Sequence, residues 1–166
     1  MKRVGAAKRR AAAYHEAGHS VARVLACGLP AGAVRIHARG GSGSTRGTGR
    51  PLILRGRSGV SGFPVYALAG VFAEARAMRV RPGLALFIGG RADMEAAAHA
   101  VDWLVERGYA TSKHDAWNQA ERLTRRFVRA NWRAIERVAR ALLERRSLTA
   151  RQIAGLLSIQ LDAGRR

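Results

Sequence analysis

At 166 residues the chain can bury a core without staples, and its single cysteine, Cys27, excludes both a disulfide framework and a CxxC metal ribbon. No run of about 18 apolar residues occurs, which excludes a membrane-spanning helix, and an apolar share of 48% with only 6% aromatics argues for closely packed helices over a β-sandwich. With 30 basic against 11 acidic residues the net charge is +19, so a polyanionic partner and a merely arginine-biased composition both stay open.

In chain order, residues 1–10 read as a basic, loosely ordered lead-in. Tyr14, His15 and Glu16 interrupt any signal-like apolar region, which points to a cytoplasmic protein. One domain is expected over 11–160, with a basic tail at 161–166. From about Ala11 to Ala26, Tyr14, Ala17, Val21, Val24 and Leu25 recur at helical spacing, and Gly28 and Pro30 stop the helix. Val34, Ile36 and Ala38 alternate with Arg35, His37 and Arg39 as in a short half-buried strand. GGSGSTRGTGR (40–50) reads as a flexible loop, and Pro51–Arg55 as a second short strand.

A second helix is expected from near Ser61, with Pro64 in its first turn and Val65, Leu68, Phe72 and Ala75 facing inward. Pro82-Gly83 and Gly89-Gly90 mark a loop. A third helix runs from about Ala92 to Arg107 and closes at Gly108. The longest is expected over His114–Arg145, with an apolar stripe of Leu123, Phe127, Ala130, Ala134 and Val138. Thr149 and Gln152 have capping-box spacing for a last helix over 150–159. Trp103, Trp117 and Trp132 read as packing residues, and His37 and His114 as solvent-facing. The class is mainly α (α+β), with a minor β element.

Within the first helix stands YHEAGH (14–19). Positions i and i+4 share a helix face, so His15 and His19 can present two imidazoles to one ion, while Glu16 lies about 100° to the side. This HExxH spacing is that of zinc hydrolases, in which the Glu takes a proton from the attacking water. Gly18 removes a side chain where backbone or substrate can approach. A third ligand is needed. No His follows closely, and Glu74 or Glu95 from a later helix is available.

Beyond the motif, AYHEAGHSVARVLACG, YALAGVFAEARAM (66–78) and GGRADMEAAAHAVDWLVERG (89–108) together resemble the zinc-peptidase domain of the FtsH family of AAA proteases. IERVARALLERRSLTARQIAGLL (135–157) resembles that family's C-terminal helices. The resemblance implies a zinc ion bound by His15, His19 and an aspartate at the start of the helix after the glycine-rich segment, here Asp93. A carboxylate in a helix's first turn is also held ionised by the macrodipole. With Asp93 facing the metal, Glu95 and His99 point elsewhere. Glu74 is expected either to receive the N–H of a zinc-bound histidine or to pair at the surface with Arg76 or another arginine.

The resemblance further implies a polypeptide substrate and a ring-shaped homo-oligomer. No GxxxxGK(S/T) phosphate loop occurs in the sequence, so any motor is expected to be a separate AAA ATPase. The family's substrate-pairing edge strand corresponds to the glycine-rich 40–50 segment. The expected function is zinc-dependent endopeptidolysis of unfolded chains or peptides. The alternatives are a non-catalytic basic adaptor and a nucleic-acid-associated regulator with a structural metal site. The latter would use Arg122, Arg126, Arg129, Arg133, Arg137 and Arg140, which fall on one face of the long helix. Because Glu136 and Glu144 lie beside them, that face is expected to be solvated and partly salt-bridged, with weak, non-specific nucleic-acid binding.

Overall fold

The structure, a computed structural model, describes residues 2–37, 43–46, 57–89 and 91–163. Its first helix, α1 (Lys2–Leu25), already begins at Lys2. The basic lead-in is therefore helical over residues 2–10: alanine, lysine and arginine are strong helix formers, and propensity outweighs the clustered charge. Gly28, at φ +65°, ends the helix, its N–H bonding the Val24 carbonyl at 3.1 Å.

At the centre lies α2 (Arg57–Met78). Val65, Leu68, Phe72 and Ala75 are buried as expected, but so are Ala67, Ala69, Val71 and Ala73. A helix buried nearly all round must be covered on several sides. Around it pack α1, α3 (Pro82–Gly89), α4 (Arg91–Glu106) and α5 (Lys113–Ala130). Because α2 starts before Ser61, Pro64 lies inside the helix rather than in its first turn. There its ring removes one hydrogen bond to the preceding turn. The segment read as a loop between Pro82 and Gly89 is α3: Pro82 suits a first helical position, and Ala85 packs on Val71 and Ala75.

The expected long helix is two. α5 ends at Asn131, whose backbone N–H and side-chain Nδ2 both donate to the Phe127 carbonyl, at 2.9 and 3.0 Å. A side chain competing for the backbone in this way interrupts a helix, and α6 (Trp132–Arg145) follows. The stripe is corrected too. In α5 the buried residues are Ala116, Ala120, Thr124 and Val128, with Leu123 and Phe127 only half-buried and Ala130 exposed. Thr124 tolerates burial because its hydroxyl donates to the Ala120 carbonyl at 2.7 Å. In α6, Ala134 and Val138 face the core as expected, together with Ile135, Ala139 and Leu142.

Trp132 fastens α6 to α1. Its ring stacks on Tyr14 at 5.5 Å, and the Arg76 guanidinium lies over it, 4.4 Å from its centroid. A cation–π contact of this kind contributes about 0.5–2 kcal/mol. Trp103 and Trp117 also pack against buried clusters.

Three short strands form an antiparallel sheet in the order β2-β1-β3: β1 (Ala33–Ile36), β2 (Gly43–Arg46) and β3 (Ser147–Leu148). β2 arises inside the glycine-rich segment expected to be a loop, pairing Thr45 with Val34. Arg146, at φ 62°, turns the chain out of α6 into β3. The proposed strand at Pro51–Arg55 falls outside the described residues. α7 (Ala150–Ala163) opens with the expected capping box: the Thr149 N–H donates to Gln152 Oε1 at 2.8 Å, and the Gln152 N–H to Thr149 Oγ1 at 3.3 Å.

Among the described residues no helix is long and apolar enough to cross a membrane. On the arginine face, Arg122, Arg126, Arg129, Arg133 and Arg140 form no ion pair among the described residues, and Arg137 donates from Nε to the Leu156 carbonyl at 3.2 Å.

Candidate metal centre

α1 and α2 approach one another through small residues. A Cβ at Gly18 would collide with the Ala69 carbonyl oxygen of α2 and stand 2.9 Å from the Ala73 methyl. Glycine at 18 thus admits the neighbouring backbone, and the imidazoles of His15 and His19 are pressed against α2. Each is anchored through its outer nitrogen. His15 Nδ1 lies 3.0 Å from Glu74 Oε2, and His19 Nδ1 lies 2.8 Å from the Tyr66 carbonyl oxygen. A carbonyl can only accept, so His19 carries its proton on Nδ1. Both rings therefore turn Nε2 inward, and the two Nε2 atoms stand 3.2 Å apart.

The third group arrives from α4. Asp93, in that helix's first turn, sets Oδ2 at 3.0 Å from His15 Nε2 and Oδ1 at 3.2 Å from His19 Nε2. His15, His19 and Asp93 thus offer ligand atoms within 4.8 Å of one another. Zinc bonds of about 2.0–2.1 Å to nitrogen and carboxylate, at tetrahedral angles, put neighbouring ligand atoms roughly 3.3 Å apart. The observed separations of 3.0–3.2 Å fit that spacing closely. Three protein ligands would leave the fourth position open, as catalytic sites do and closed structural sites do not.

Burial works to lower the pKa of His15, but hydrogen bonds with Asp93 and Glu74, backed by the charges of Asp93 and Glu16, outweigh it and hold the imidazole up at about 10. For Asp93, burial acts to raise the carboxyl, and its close contacts with His15 and His19 prevail, holding it well below the usual carboxylate range. At pH 7 His15 is therefore an imidazolium, and a metal must displace its proton. Zinc uptake at neutral pH should release about one proton per chain, and apparent affinity should climb with pH until it levels off near 10. Calorimetric titration in buffers of different ionisation enthalpy measures that proton; a buffer-independent heat would contradict the protonated His15.

Glu16, buried at 5% exposure, lies beside the ligand set rather than in it, and its charge acts on both His15 and Tyr66. Of its two expected places Glu74 takes the one on the outer nitrogen of His15, while Arg76 is occupied by Trp132. Glu95, His99, His37 and His114 are exposed and stand outside the ligand group; His114 Nε2 instead bonds Asn118 at 2.9 Å. Cys27 takes no part. Its thiol donates to the Gly62 carbonyl at 3.3 Å, and burial pushes it up to about 11, against the pull of Arg23.

One essential residue escaped the sequence reading. A Cβ at Gly70 would collide with His19 Nε2 and stand 2.6 Å from its Cδ2 and 3.0 Å from His15 Cδ2, which is the inward edge of both rings. Gly70 is the floor of the centre. The available signal was a glycine amid the apolar run of a helix, where it costs about 1 kcal/mol against alanine and so points to a packing reason. Compared with known protein families and with curated proteins, the chain matches none.

Proposed function

We propose that this chain is a zinc-dependent metalloendopeptidase of the FtsH peptidase type, acting on unfolded chains or peptides. The observation that carries the reading is the convergence of two inward imidazole nitrogens and a carboxylate at tetrahedral spacing, with a buried glutamate one residue after the first histidine. Zinc, when bound there by His15, His19 and Asp93, supplies a Lewis acid that polarises the scissile carbonyl and acidifies water. Glu16 accepts the proton of the attacking water as its oxygen bonds to the carbonyl carbon, and returns it to the amine as the C–N bond breaks. Glu74 and the Tyr66 carbonyl hold the two rings in the tautomer that turns Nε2 inward. For folded substrates the reading requires a separate AAA ATPase as unfoldase.

Metal analysis tests the ligand set. Purified protein should carry about one zinc per chain, and His15→Ala, His19→Ala and Asp93→Ala should each lower the occupancy. Full zinc retention in Asp93→Ala would remove Asp93 from the set.

The exposed arginines Arg122, Arg126, Arg129, Arg133 and Arg140 of α5 and α6 favour a second reading, a polyanion-binding protein with a structural metal. In that reading Glu16 is dispensable, which separates the two.

A further inference from the structure

Three carboxylates, Glu16, Glu74 and Asp93, surround the two imidazoles, more than a divalent cation neutralises. Peptide hydrolysis places further negative charge on the scissile carbonyl oxygen as water adds. A hydrogen-bond donor aimed at that oxygen therefore lowers the barrier. The histidines cannot serve, because their N–H groups point outward to Glu74 and the Tyr66 carbonyl.

The side chain of Tyr66 can. Its ring lies 5.4 Å from that of His19, tilted by 55°, so the backbone that anchors His19 also lays a phenol along it. Tyr66 precedes Gly70 by one helical turn, on the face of α2 that forms the floor of the centre. The residue is half-buried, and among the described residues nothing hydrogen-bonds its hydroxyl. A phenol is protonated at neutral pH and so acts as a hydrogen-bond donor. Arg23, one turn beyond His19, is committed through Nε to the Pro30 carbonyl at 2.8 Å.

We propose that the Tyr66 hydroxyl is a catalytic hydrogen-bond donor, stationed beside His19 to stabilise the negative charge developing on the scissile carbonyl oxygen. The inference rests on the peptidase reading above. As the water oxygen bonds to carbon and its proton passes to Glu16, the C=O π pair moves onto oxygen, where Tyr66 donates a hydrogen bond without giving up its proton. When the C–N bond breaks the pair returns to the carbonyl.

Tyr66→Phe keeps the ring and the backbone carbonyl, so zinc content should be unchanged. We expect kcat on an unfolded casein substrate to fall about 100- to 1,000-fold with KM little altered. Affinity of the zinc-loaded protein for a phosphinic peptide, which mimics the tetrahedral carbon, should fall in proportion, and affinity for the cleaved product should not. A Tyr66→Phe protein matching wild type in kcat and phosphinic affinity overturns the donor role, as does one that loses its zinc. Zinc-loaded wild type that neither cleaves casein nor prefers the phosphinic peptide refutes the peptidase reading itself, a result distinct from both.

Discussion

Glu16→Gln should keep its zinc and its fold while peptidase activity drops by about 100- to 10,000-fold, the range contributed by a positioned general base. Glutamine nearly reproduces the volume of glutamate and still hydrogen-bonds, but it cannot take a proton from water at neutral pH. Glu16 is buried beside His15 without belonging to the ligand set, so the ligand geometry does not depend on its charge. His15→Ala, by contrast, should lose metal and activity together. The measurement is casein cleavage alongside metal analysis for the same preparations. Should Glu16→Gln cleave as fast as wild type, the water-activation mechanism is wrong, even with zinc in place.

Gly70→Ala should abolish zinc binding. The added methyl would collide with His19 Nε2, the atom that must reach the metal, and it is fixed to a buried backbone that cannot retreat. Either the imidazoles swing away or α2 separates from α1, and both outcomes dismantle the centre. Gly155→Ala is the control: a Cβ there meets nothing within 4 Å, and replacing a helical glycine should add roughly 0.5–1 kcal/mol of stability. Metal analysis and thermal melting of the two variants distinguish the effects. Stoichiometric zinc in Gly70→Ala would show that the floor has room to spare.

His15, Glu16 and His19 were legible because their relation is local: helical periodicity alone sets where each side chain points. Asp93 and Glu74 are joined to them only by the packing of α4 and α2, and the resemblance to the FtsH peptidase domain, not the spacing, brought Asp93 forward and moved Glu74 out of the ligand set. Gly70 stayed hidden because the demand on it comes from rings on another helix. The same division runs through the fold. The capping box at Thr149 and the stop at Gly28 are local and were read correctly. β2 exists through pairing with β1, and its own Gly-Ser-Thr-Arg has little strand preference. Asn131 was read as an ordinary helical residue because its two bonds to the Phe127 carbonyl depend on side-chain conformation.

The two imidazoles belong to α1, whereas Asp93 belongs to α4, with α2 and α3 intervening along the chain. A cation bound to all three closes the polypeptide into a long covalent-like loop and so works as a removable cross-link. Restricting the unfolded chain in this way favours the folded one by an amount that grows only slowly with loop length. Metal binding by these three residues would therefore be coupled to the docking of α4: chelating the ion would loosen that helix, and pulling α4 away would weaken the hold on the ion.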